Sequence, residues 1–311
     1  MRTGARGSAL LTVLWLTAAV SAIGVAVAGN VRGETERAGT NVDDAKSYFL
    51  ATGGVQRAAL RMMWGRPFYN YGSPAMDLDF PSGIVHVEVI PETSKLSLNG
   101  ARPEELARLL TILGMPEGNA IETAAAIVDW RTPDPLHTSP FDAYYLSQSP
   151  SFLARHASFL ENEELLLVKG ITPDLFYGTS LGRAHTGLGD CVSVYGSAGG
   201  IDVNTAQPET MQAVGLSAFD AGEIVRMRAE YGGITAAQLA EIRQAVGPPA
   251  QRLGIGGQTI FTLRATARIR QPDGKLSDMR RTVSAQIRFA FNGVLPANAA
   301  GFEILRWFDR G

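Results

Sequence analysis

The sequence contains few of the residues that would cross-link a fold or give it a strong charge. One cysteine, Cys191, stands among 311 residues, so an internal disulfide cannot form. Because Cys191 lies in a short apolar segment, we interpret it as a small core residue and not as a nucleophile. The formal net charge of −2 gives no general attraction to nucleic acid or to an anionic lipid surface. These scarcities argue against a disulfide-rich scaffold and against a basic nucleic-acid binder.

The N-terminal region lacks both charge and proline. Asp, Glu, Lys, Arg and His are absent from residues 8–31, and the first proline of the chain is Pro67. A helix over residues 8–31 would extend about 36 Å, enough to cross a hydrocarbon layer of about 30 Å. We therefore predict a single transmembrane helix. Arg2 and Arg6 precede it and balanced charges follow it, which places the N-terminus in the cytoplasm and the rest of the chain outside.

Two interpretations of this apolar segment compete. Ala26-Val27-Ala28 resembles the A-x-A site at which an export signal is cut. However, apolar spacing typical of a helix continues beyond it, and no proline interrupts the pattern. The predicted apolar stripe consists of Val31, Ala38, Val42, Ala45, Phe49, Val55 or Gln56, Ala59 and Met63. We therefore favour one rod, which stays in the membrane as an anchor and continues outside as an amphipathic helix.

The rest of the pattern predicts strands on both sides of a helical block. Residues 83–91 and 95–98 are predicted as two strands joined by a turn, and residues 261–269 and 283–291 as a hairpin, because apolar and polar side chains alternate. Helical spacing covers residues 102–115, 119–130, 161–168, 207–216, 218–231 and 235–246. This order predicts an α+β fold: a long N-terminal transmembrane and amphipathic helix packed on a small antiparallel sheet, with a large inserted α-helical domain.

Short motifs spread over nearly the whole chain resemble one family. They are Val128-Asp129-Trp130-Arg131, Asp142-Ala143-Tyr144-Tyr145, Glu163-Glu164-Leu165, Val168-Lys169-Gly170-Ile171-Thr172, Val194-Tyr195-Gly196 and Val203-Asn204-Thr205-Ala206. The basic leader that ends at Gly7, before Ser8 and the apolar helix, is similar to that of type IV prepilins and pseudopilins. Together these features resemble minor pseudopilin K of the general secretion pathway, part of the type II secretion system of Gram-negative bacteria.

The resemblance gives Thr12 a specific interpretation. Most pseudopilins carry glutamate at the fifth mature position, and a carboxylate inside the bilayer costs about 2.5–3.5 kcal/mol and needs a partner. In the family that partner is the free ammonium of the subunit above. Thr12 occupies this position here. A subunit that assembles first has no subunit above it and loses no contact, so Thr12 resembles the residue of a tip subunit.

The resemblance also implies the organisation and the role of the chain. Residues 1–7 would be a leader that the prepilin peptidase removes between Gly7 and Ser8. Residues 8–31 would be the transmembrane helix, 32–66 its periplasmic continuation, 67–98 and 256–311 a pseudopilin α/β domain, and 99–255 the inserted helical domain. The product would be a single-pass inner-membrane protein with a cytoplasmic N-terminus and a periplasmic body. It would start assembly at the tip of the pseudopilus, contact other minor pseudopilins and the inner-membrane secretion platform, and support export of folded proteins. It would need no cofactor, catalyse no reaction and bind no nucleic acid.

Calcium in the inserted domain is a further implication of the resemblance. Asp129, Asp134 and Asp142 supply hard oxygen ligands across one loop. Two departures affect this site: Thr132 replaces the middle acid of the family's Asp-Trp-x-Asp-x-Asp, and Ser139-Pro140-Phe141-Asp142 replaces Gly-Ala-Glu-Asp. The alternative is that these carboxylates cap and solvate a loop. The histidines show no short metal-ligand spacing and are interpreted as ordinary surface or packing residues: His86, His137, His156 and His185.

An internal repeat supports a rival function. Residues 98–104 and 203–209 align at a spacing of 105, and each copy precedes a predicted helix. Asn99 and Asn204 occupy equivalent positions, where we expect them to bond nearby backbone in a turn. The second copy, with Gly215-Leu216-Ser217 as a hairpin, resembles helix-hairpin-helix modules of DNA-uptake proteins. The alternative function is therefore an exported DNA-binding protein of the competence type, and an anchored periplasmic enzyme is a second rival. Packing of a helix pair without nucleic acid accounts for the same residues.

Overall fold

The computed structural model describes residues 5–65, 74–136, 138–180, 183–184, 186–256, 259–289 and 301–310. The α-helices in chain order are α1 (Ala5–Trp64), α2 (Pro103–Ile112), α3 (Glu117–Arg131), α4 (Asp142–Leu146), α5 (Pro173–Tyr177), α6 (Leu188–Cys191), α7 (Pro208–Ala213), α8 (Ala218–Tyr231) and α9 (Ala236–Val246). The strands are β1 (Ala75–Phe80), β2 (Gly83–Pro91), β3 (Leu96–Ser97), β4 (Thr179–Ser180), β5 (Arg183–Ala184), β6 (Val192–Ser193), β7 (Ile201–Asp202), β8 (Leu253–Gly254), β9 (Ile260–Ile269), β10 (Arg281–Phe289) and β11 (Phe302–Arg310). Short 3-10 helices cover Glu92–Ser94, Asn162–Leu167 and Pro248–Arg252.

Helix α1 is the longest element, with 60 residues. At about 1.5 Å per residue it extends about 90 Å, which is longer than a membrane crossing requires. Its described side chains are almost all exposed up to Val42, and its buried face begins at Ser47. The helix therefore has a bare N-terminal part and a C-terminal part that packs on the sheet.

The buried face of α1 only partly follows the predicted apolar stripe. Val55 and Ala59 of the stripe are fully buried. Val42, Phe49 and Met63 of the stripe are exposed instead, with exposed fractions of 52%, 71% and 36%. The residues that face the sheet are instead mostly small, because the helix and the sheet approach closely: Ser47, Ala51, Gly54, Val55, Ala58 and Ala59. The close approach of helix and sheet, more than the hydrophobicity of the side chains, determines which face of α1 is buried.

The sheet is antiparallel throughout, in the order β1-β2-β9-β10-β11. Along β9 and β10 every second residue is buried against α1, as the alternation predicts. These residues are Phe261, Leu263, Ala265, Ala267 and Ile269 on β9, and Val283, Ala285, Ile287 and Phe289 on β10. The predicted β10 extends to residue 291, and its last two residues lie outside the described part of the chain.

The helical region is inserted between two neighbouring strands. The chain leaves the sheet after Pro91 at the end of β2 and returns at Ile260 on β9, and these two strands pair with each other. A second hydrophobic core, formed by residues between 96 and 253, fills the inserted region and shares no described residue with the core of α1 and the sheet. Its helices begin at sequence signals: Pro103 and Pro208 in the first turn, and Ser217 and Thr235 as N-caps.

One predicted strand has a different partner from the one expected. Residues 95–98 were expected to pair with residues 83–91 across a short turn. In the structure, β3 pairs in parallel with β6, where Leu96 faces Val192. The prediction of this hairpin is wrong because the turn residues form a 3-10 helix, Glu92–Ser94, which directs the chain into the inserted core.

The boundary between the two cores is polar. The buried carboxylate of Glu92 accepts a hydrogen bond from the hydroxyl of Thr262. Arg264 on β9 lies 3.3 Å from Asp190, and Arg306 on β11 lies 2.9 Å from Glu163. Charged and hydroxyl groups therefore join the sheet to the inserted region.

The internal repeat is present in the structure as well as in the sequence. The amide of Asn99 forms two hydrogen bonds with the backbone of Phe159, of 2.8 and 3.0 Å, and that of Asn204 forms two with the backbone of Ile234, of 2.6 and 3.2 Å. The expectation of a bond within the local turn is wrong, since both partners are distant in sequence. Each asparagine instead ties the start of a helix pair to a later segment of the same core.

An arginine completes each copy of the repeat. Arg131 at the end of α3 donates to the carbonyl oxygens of Leu98 and Ala101. Arg228 on α8 donates to the corresponding carbonyl oxygens, those of Val203 and Ala206. Both guanidinium groups therefore satisfy carbonyl groups at the start of a helix pair, where the backbone has left its strand.

Candidate functional site

The predicted processing and assembly residues lie at the beginning of α1. Gly7 and Ser8 fall in its first turns, and Thr12 follows on an exposed part of the helix. From Leu10 onward the helix is long and apolar enough to cross a membrane, by length and composition, and its most apolar window contacts no other part of the described structure. Helix α1 passes through Ala26-Val27-Ala28 without interruption. The roles of Gly7, Ser8 and Thr12 stay predictions, because none of them depends on a contact within the chain.

The three predicted metal ligands lie around the loop that follows α3. The carboxylate of Asp134 accepts backbone hydrogen bonds from Thr138 and Ser139 at 2.6 and 2.9 Å, and this bonding holds the pKa of Asp134 below its usual value although burial opposes it. Asp129 accepts a hydrogen bond of 2.8 Å from the hydroxyl of Ser139. Asp142 begins α4. The structure therefore brings Asp134 close to Asp142, while the carboxylate of Asp129 binds Ser139 and lies 4.0 Å from Nδ1 of His156.

His156 is the residue of this site that the sequence did not reveal. Its side chain is 10% exposed, and its Nε2 lies 3.2 Å from Oδ1 of Asp142, while its Nδ1 lies 3.3 Å from the carbonyl oxygen of Asp129. One ligand atom each of Asp134, Asp142 and His156 lie within 4.8 Å of one another. His156 is thus a largely buried residue with polar partners, and no spacing rule could have placed it here, since it follows Asp142 by 14 residues through an irregular segment.

Backbone and charge both constrain His156. Its φ of 46° lies in the left-handed region, which few residues other than glycine adopt. Burial of the imidazole opposes protonation, but the hydrogen bond to Asp142 and the nearby oxygens of Asp129 outweigh it and raise the pKa of His156 above its usual value. The imidazole is thus a group that the fold places between two oxygen acceptors.

A cluster of aromatic side chains lies next to this loop. The ring of Trp130 packs edge-on against Tyr145 at 5.5 Å and lies 6.3 Å from both Phe152 and Phe159. Burial raises the pKa of Tyr145 to about 12. Because Asp129 and Asp142 lie next to these rings in sequence, packing of Trp130 and Tyr145 fixes where the two carboxylates emerge.

The helix pair that suggested DNA binding lacks a free basic face in the described structure. Helices α7 and α8 meet through a turn at Gly215, whose φ is 112°, as the hairpin prediction requires. Arg226 pairs with Glu223 and Glu230 on its own helix, at 2.7 and 2.9 Å. Arg228 points inward to backbone carbonyls, and its burial lowers its pKa. Both arginines of α8 are therefore engaged within the chain, Arg226 by carboxylates of its own helix and Arg228 by buried backbone.

Comparison with known proteins finds one matching family model and a similar fold. Residues 92–178 match the family model described as type II secretion system (T2SS), protein K. The fold is similar to that of a chain in the crystal structure of the GspK–GspI–GspJ complex from the type 2 secretion system of enterotoxigenic Escherichia coli. The TM-score is 0.55 at 14% identity, over 88% of this chain and 99% of that chain. No curated protein matches the sequence.

A long N-terminal helix on a five-stranded antiparallel sheet, with a helical region between two neighbouring strands, is a GspK-like arrangement. The matched region lies in the inserted part and begins at Glu92, where the chain leaves the sheet. The chain is therefore similar to type II secretion system protein K, GspK, by sequence over residues 92–178 and by fold over most of its length. The expected α+β fold is confirmed by this likeness.

Proposed function

We propose that this chain is the minor pseudopilin at the tip of the type II secretion pseudopilus. It starts assembly with other minor pseudopilins and supports export of folded proteins across the outer membrane. The prepilin peptidase removes residues 1–7, the helix from Ser8 onward stays in the inner membrane with its N-terminus in the cytoplasm, and the body lies in the periplasm. Its partners are minor pseudopilins of the GspI and GspJ type and the inner-membrane platform.

The observation that supports this proposal most is the division of α1 into two parts. The N-terminal part is apolar and bare, whereas the C-terminal part fills the core of the sheet through Ala51, Val55 and Ala59. Helix α1 runs without interruption from the apolar part into the part that packs on the sheet, so one continuous helix joins the proposed anchor to the body. Thr12, in place of the glutamate that most pseudopilins carry, agrees with a subunit that has no neighbour above it.

Mass spectrometry of the chain purified from membranes tests the proposal. We expect a mature chain that begins at Ser8, whereas release as an exported protein would give a chain that begins at Gly29. Gly7→Val should block processing and leave the full-length chain. Gly4→Val, three residues upstream, is the matched control and should be processed normally. A soluble periplasmic product without residues 8–28 would contradict the proposal.

A second experiment tests the partners. The mature chain should copurify in detergent with minor pseudopilins of the GspI and GspJ type expressed from the same cell. Replacement of Thr12 by glutamate should leave this complex intact if the chain occupies the tip, since its own amine remains available to the next subunit. Failure to copurify at matched expression would count against the tip assignment.

A further inference from the structure

The loop after α3 places a nitrogen ligand where the family resemblance implies an all-oxygen calcium site. Asp134 lies in the loop, Asp142 starts α4, and His156 lies in the irregular segment behind α4. One ligand atom from each comes within 4.8 Å of the other two. Three ligands from three separate segments can therefore converge on one ion.

The hydrogen bonds of His156 define how its ring faces the carboxylates. Nδ1 lies 3.3 Å from the carbonyl oxygen of Asp129, which can only accept, and Nε2 lies 3.2 Å from Oδ1 of Asp142. In the tautomer with its hydrogen on Nδ1, the lone pair of Nε2 is free to share an ion with the carboxylate of Asp142. A backbone carbonyl that holds one ring nitrogen while the other binds the ion is the usual arrangement of a metal-ligating histidine.

The oxygens that calcium needs are engaged elsewhere. Calcium takes about six to eight oxygen ligands at about 2.3–2.6 Å. The hydroxyl of Thr132, at the position of the family's middle acid, donates to the carbonyl oxygen of Val128 at 2.6 Å. The carboxylate of Asp129 accepts from Ser139 at 2.8 Å, and among the described residues the three-ligand cluster does not include it. Two carboxylates remain, which is too few for calcium without a large share of water.

The same group suits a smaller ion with mixed ligands. Zinc-class ions bind imidazole nitrogen and carboxylate oxygen at about 2.0–2.2 Å, in a tetrahedron whose edges are about 3.3 Å. The distance of 3.2 Å between Nε2 of His156 and Oδ1 of Asp142 is close to such an edge. Oδ1 of Asp134 accepts only two long hydrogen bonds of 3.3 Å, while Oδ2 takes the shorter ones that orient the group. Hydrogen-bonded carboxylates of this kind are normal in metal sites.

We propose that Asp134, Asp142 and His156 bind one divalent transition ion of the zinc class in preference to calcium. The ion ties together the loop after α3, the start of α4 and the segment of His156, and so stabilises the inserted region of the folded chain. Binding of this ion is independent of the role in secretion, so a failure of either proposal leaves the other intact.

The test uses the full chain in detergent, stripped of metal by a chelator, with zinc chloride or calcium chloride as probe. We expect about one zinc ion per chain to remain after gel filtration, and a rise in Tm of about 5 °C at a zinc concentration near 100 times Kd. Calcium at the same concentration should produce no comparable rise. Cobalt(II) in place of zinc should give the absorption bands of a tetrahedral nitrogen and oxygen site.

Substitutions of the proposed ligands test which residues bind the ion. His156→Asn should weaken zinc binding by more than about 10-fold, and asparagine tolerates the left-handed backbone at this position. Asp142→Asn should have the same effect. His86→Gln is the matched control, because His86 also contacts a carboxylate, that of Asp77 at 2.7 Å, but lies on β2 far from the loop. The proposal would be overturned by unchanged zinc binding in both His156→Asn and Asp142→Asn, or by a larger Tm rise with calcium than with zinc. No response to either ion would also overturn it, and would mean that a proton alone bridges His156 and Asp142.

Discussion

Gly54 of α1 lies so close to Val85 of β2 that a Cβ atom built on Gly54 would be 2.4 Å from Cγ1 of Val85. This contact is the point of closest approach between the anchor helix and the sheet among the glycines of α1. It explains why most residues on the buried face of α1 are small, although Leu50 and Met62 are buried there as well.

The first prediction follows from this contact. Gly54→Ala should destabilise the protein by about 1–3 kcal/mol through overpacking against Val85. Gly39→Ala is the matched control, because its added Cβ would meet nothing within 4 Å, and it should stabilise the helix by about 0.5–1 kcal/mol. Equilibrium unfolding in denaturant measures both changes. In the background of Val85→Ala, Gly54→Ala should cost much less; an equal cost there would show that the contact with Val85 is not the cause.

Arg131 and Arg228, which donate to backbone carbonyl groups in the two copies of the internal repeat, give the second prediction. Arg131→Met leaves the buried carbonyl groups of Leu98 and Ala101 without donors, and should cost about 2–4 kcal/mol. Arg228→Met should have a similar cost for the same reason. Arg226→Met removes an exposed arginine of α8 and should change stability little. Thermal unfolding measures all three changes. Equal stabilities of the Arg226 and Arg228 variants would contradict the structural role assigned to Arg131 and Arg228.

The sequence predicts well what depends on neighbouring residues. The alternation along β9 and β10 places every second side chain on one face, so the apolar residues packed against α1 follow from the pattern, whereas the burial of Thr262, Ser284 and Gln286 on the other face does not. Helix α8 has the predicted bounds, because Ser217 caps its start and Gly232 ends it with a φ of 69°. Edge strands β1 and β11 escaped prediction, since both expose one side and carry charged residues among the apolar ones.

The sequence does not predict what depends on distant contacts. Strand β3 has two residues and finds its partner, β6, through the packing of the inserted core. The buried face of α1 follows from the close approach at Gly54, which a count of apolar residues cannot reveal. Likewise, His156 joins Asp142 only because Trp130, Tyr145 and their neighbours fold the intervening segment back on α3. The acidic residues of this cluster could be found from spacing and resemblance, whereas the position of His156 required the structure.

Glu105 provides a prediction on pH. Its side chain is 3% exposed, and burial alone would raise its pKa. The backbone and side chain of Arg102, together with the charge of Arg252, hold the pKa of Glu105 below its ordinary value of 4.5. Because the pKa is lower in the folded than in the unfolded chain, the pairing stabilises the fold above pH 4.5, and this stabilisation is lost as the pH falls through the folded value.

The corresponding measurement compares Tm against pH for the wild type and Glu105→Gln. The variant should have a lower Tm at pH 7, and the two curves should converge below pH 4.5. Glu241→Gln changes an exposed carboxylate of α9 and should keep the acid dependence of the wild type. A constant difference between wild type and Glu105→Gln from pH 7 to pH 3 would contradict the assignment.

The exposed side of α1 gives a prediction about assembly. Phe49 is 71% exposed and lies beside a mainly apolar groove between α1 and the hairpin ends, lined by Gly53, Phe80 and Ile269. If partner pseudopilins pack along α1, Phe49→Ser should weaken copurification with them while leaving Tm nearly unchanged, because an exposed side chain contributes little to folding. Phe219→Ser is the matched control: Phe219 is 74% exposed but lies on α8 of the inserted region, so its replacement should leave the complex intact. Equal effects of the two substitutions would indicate that exposed phenylalanine promotes association without regard to position, and that the partner surface does not follow α1.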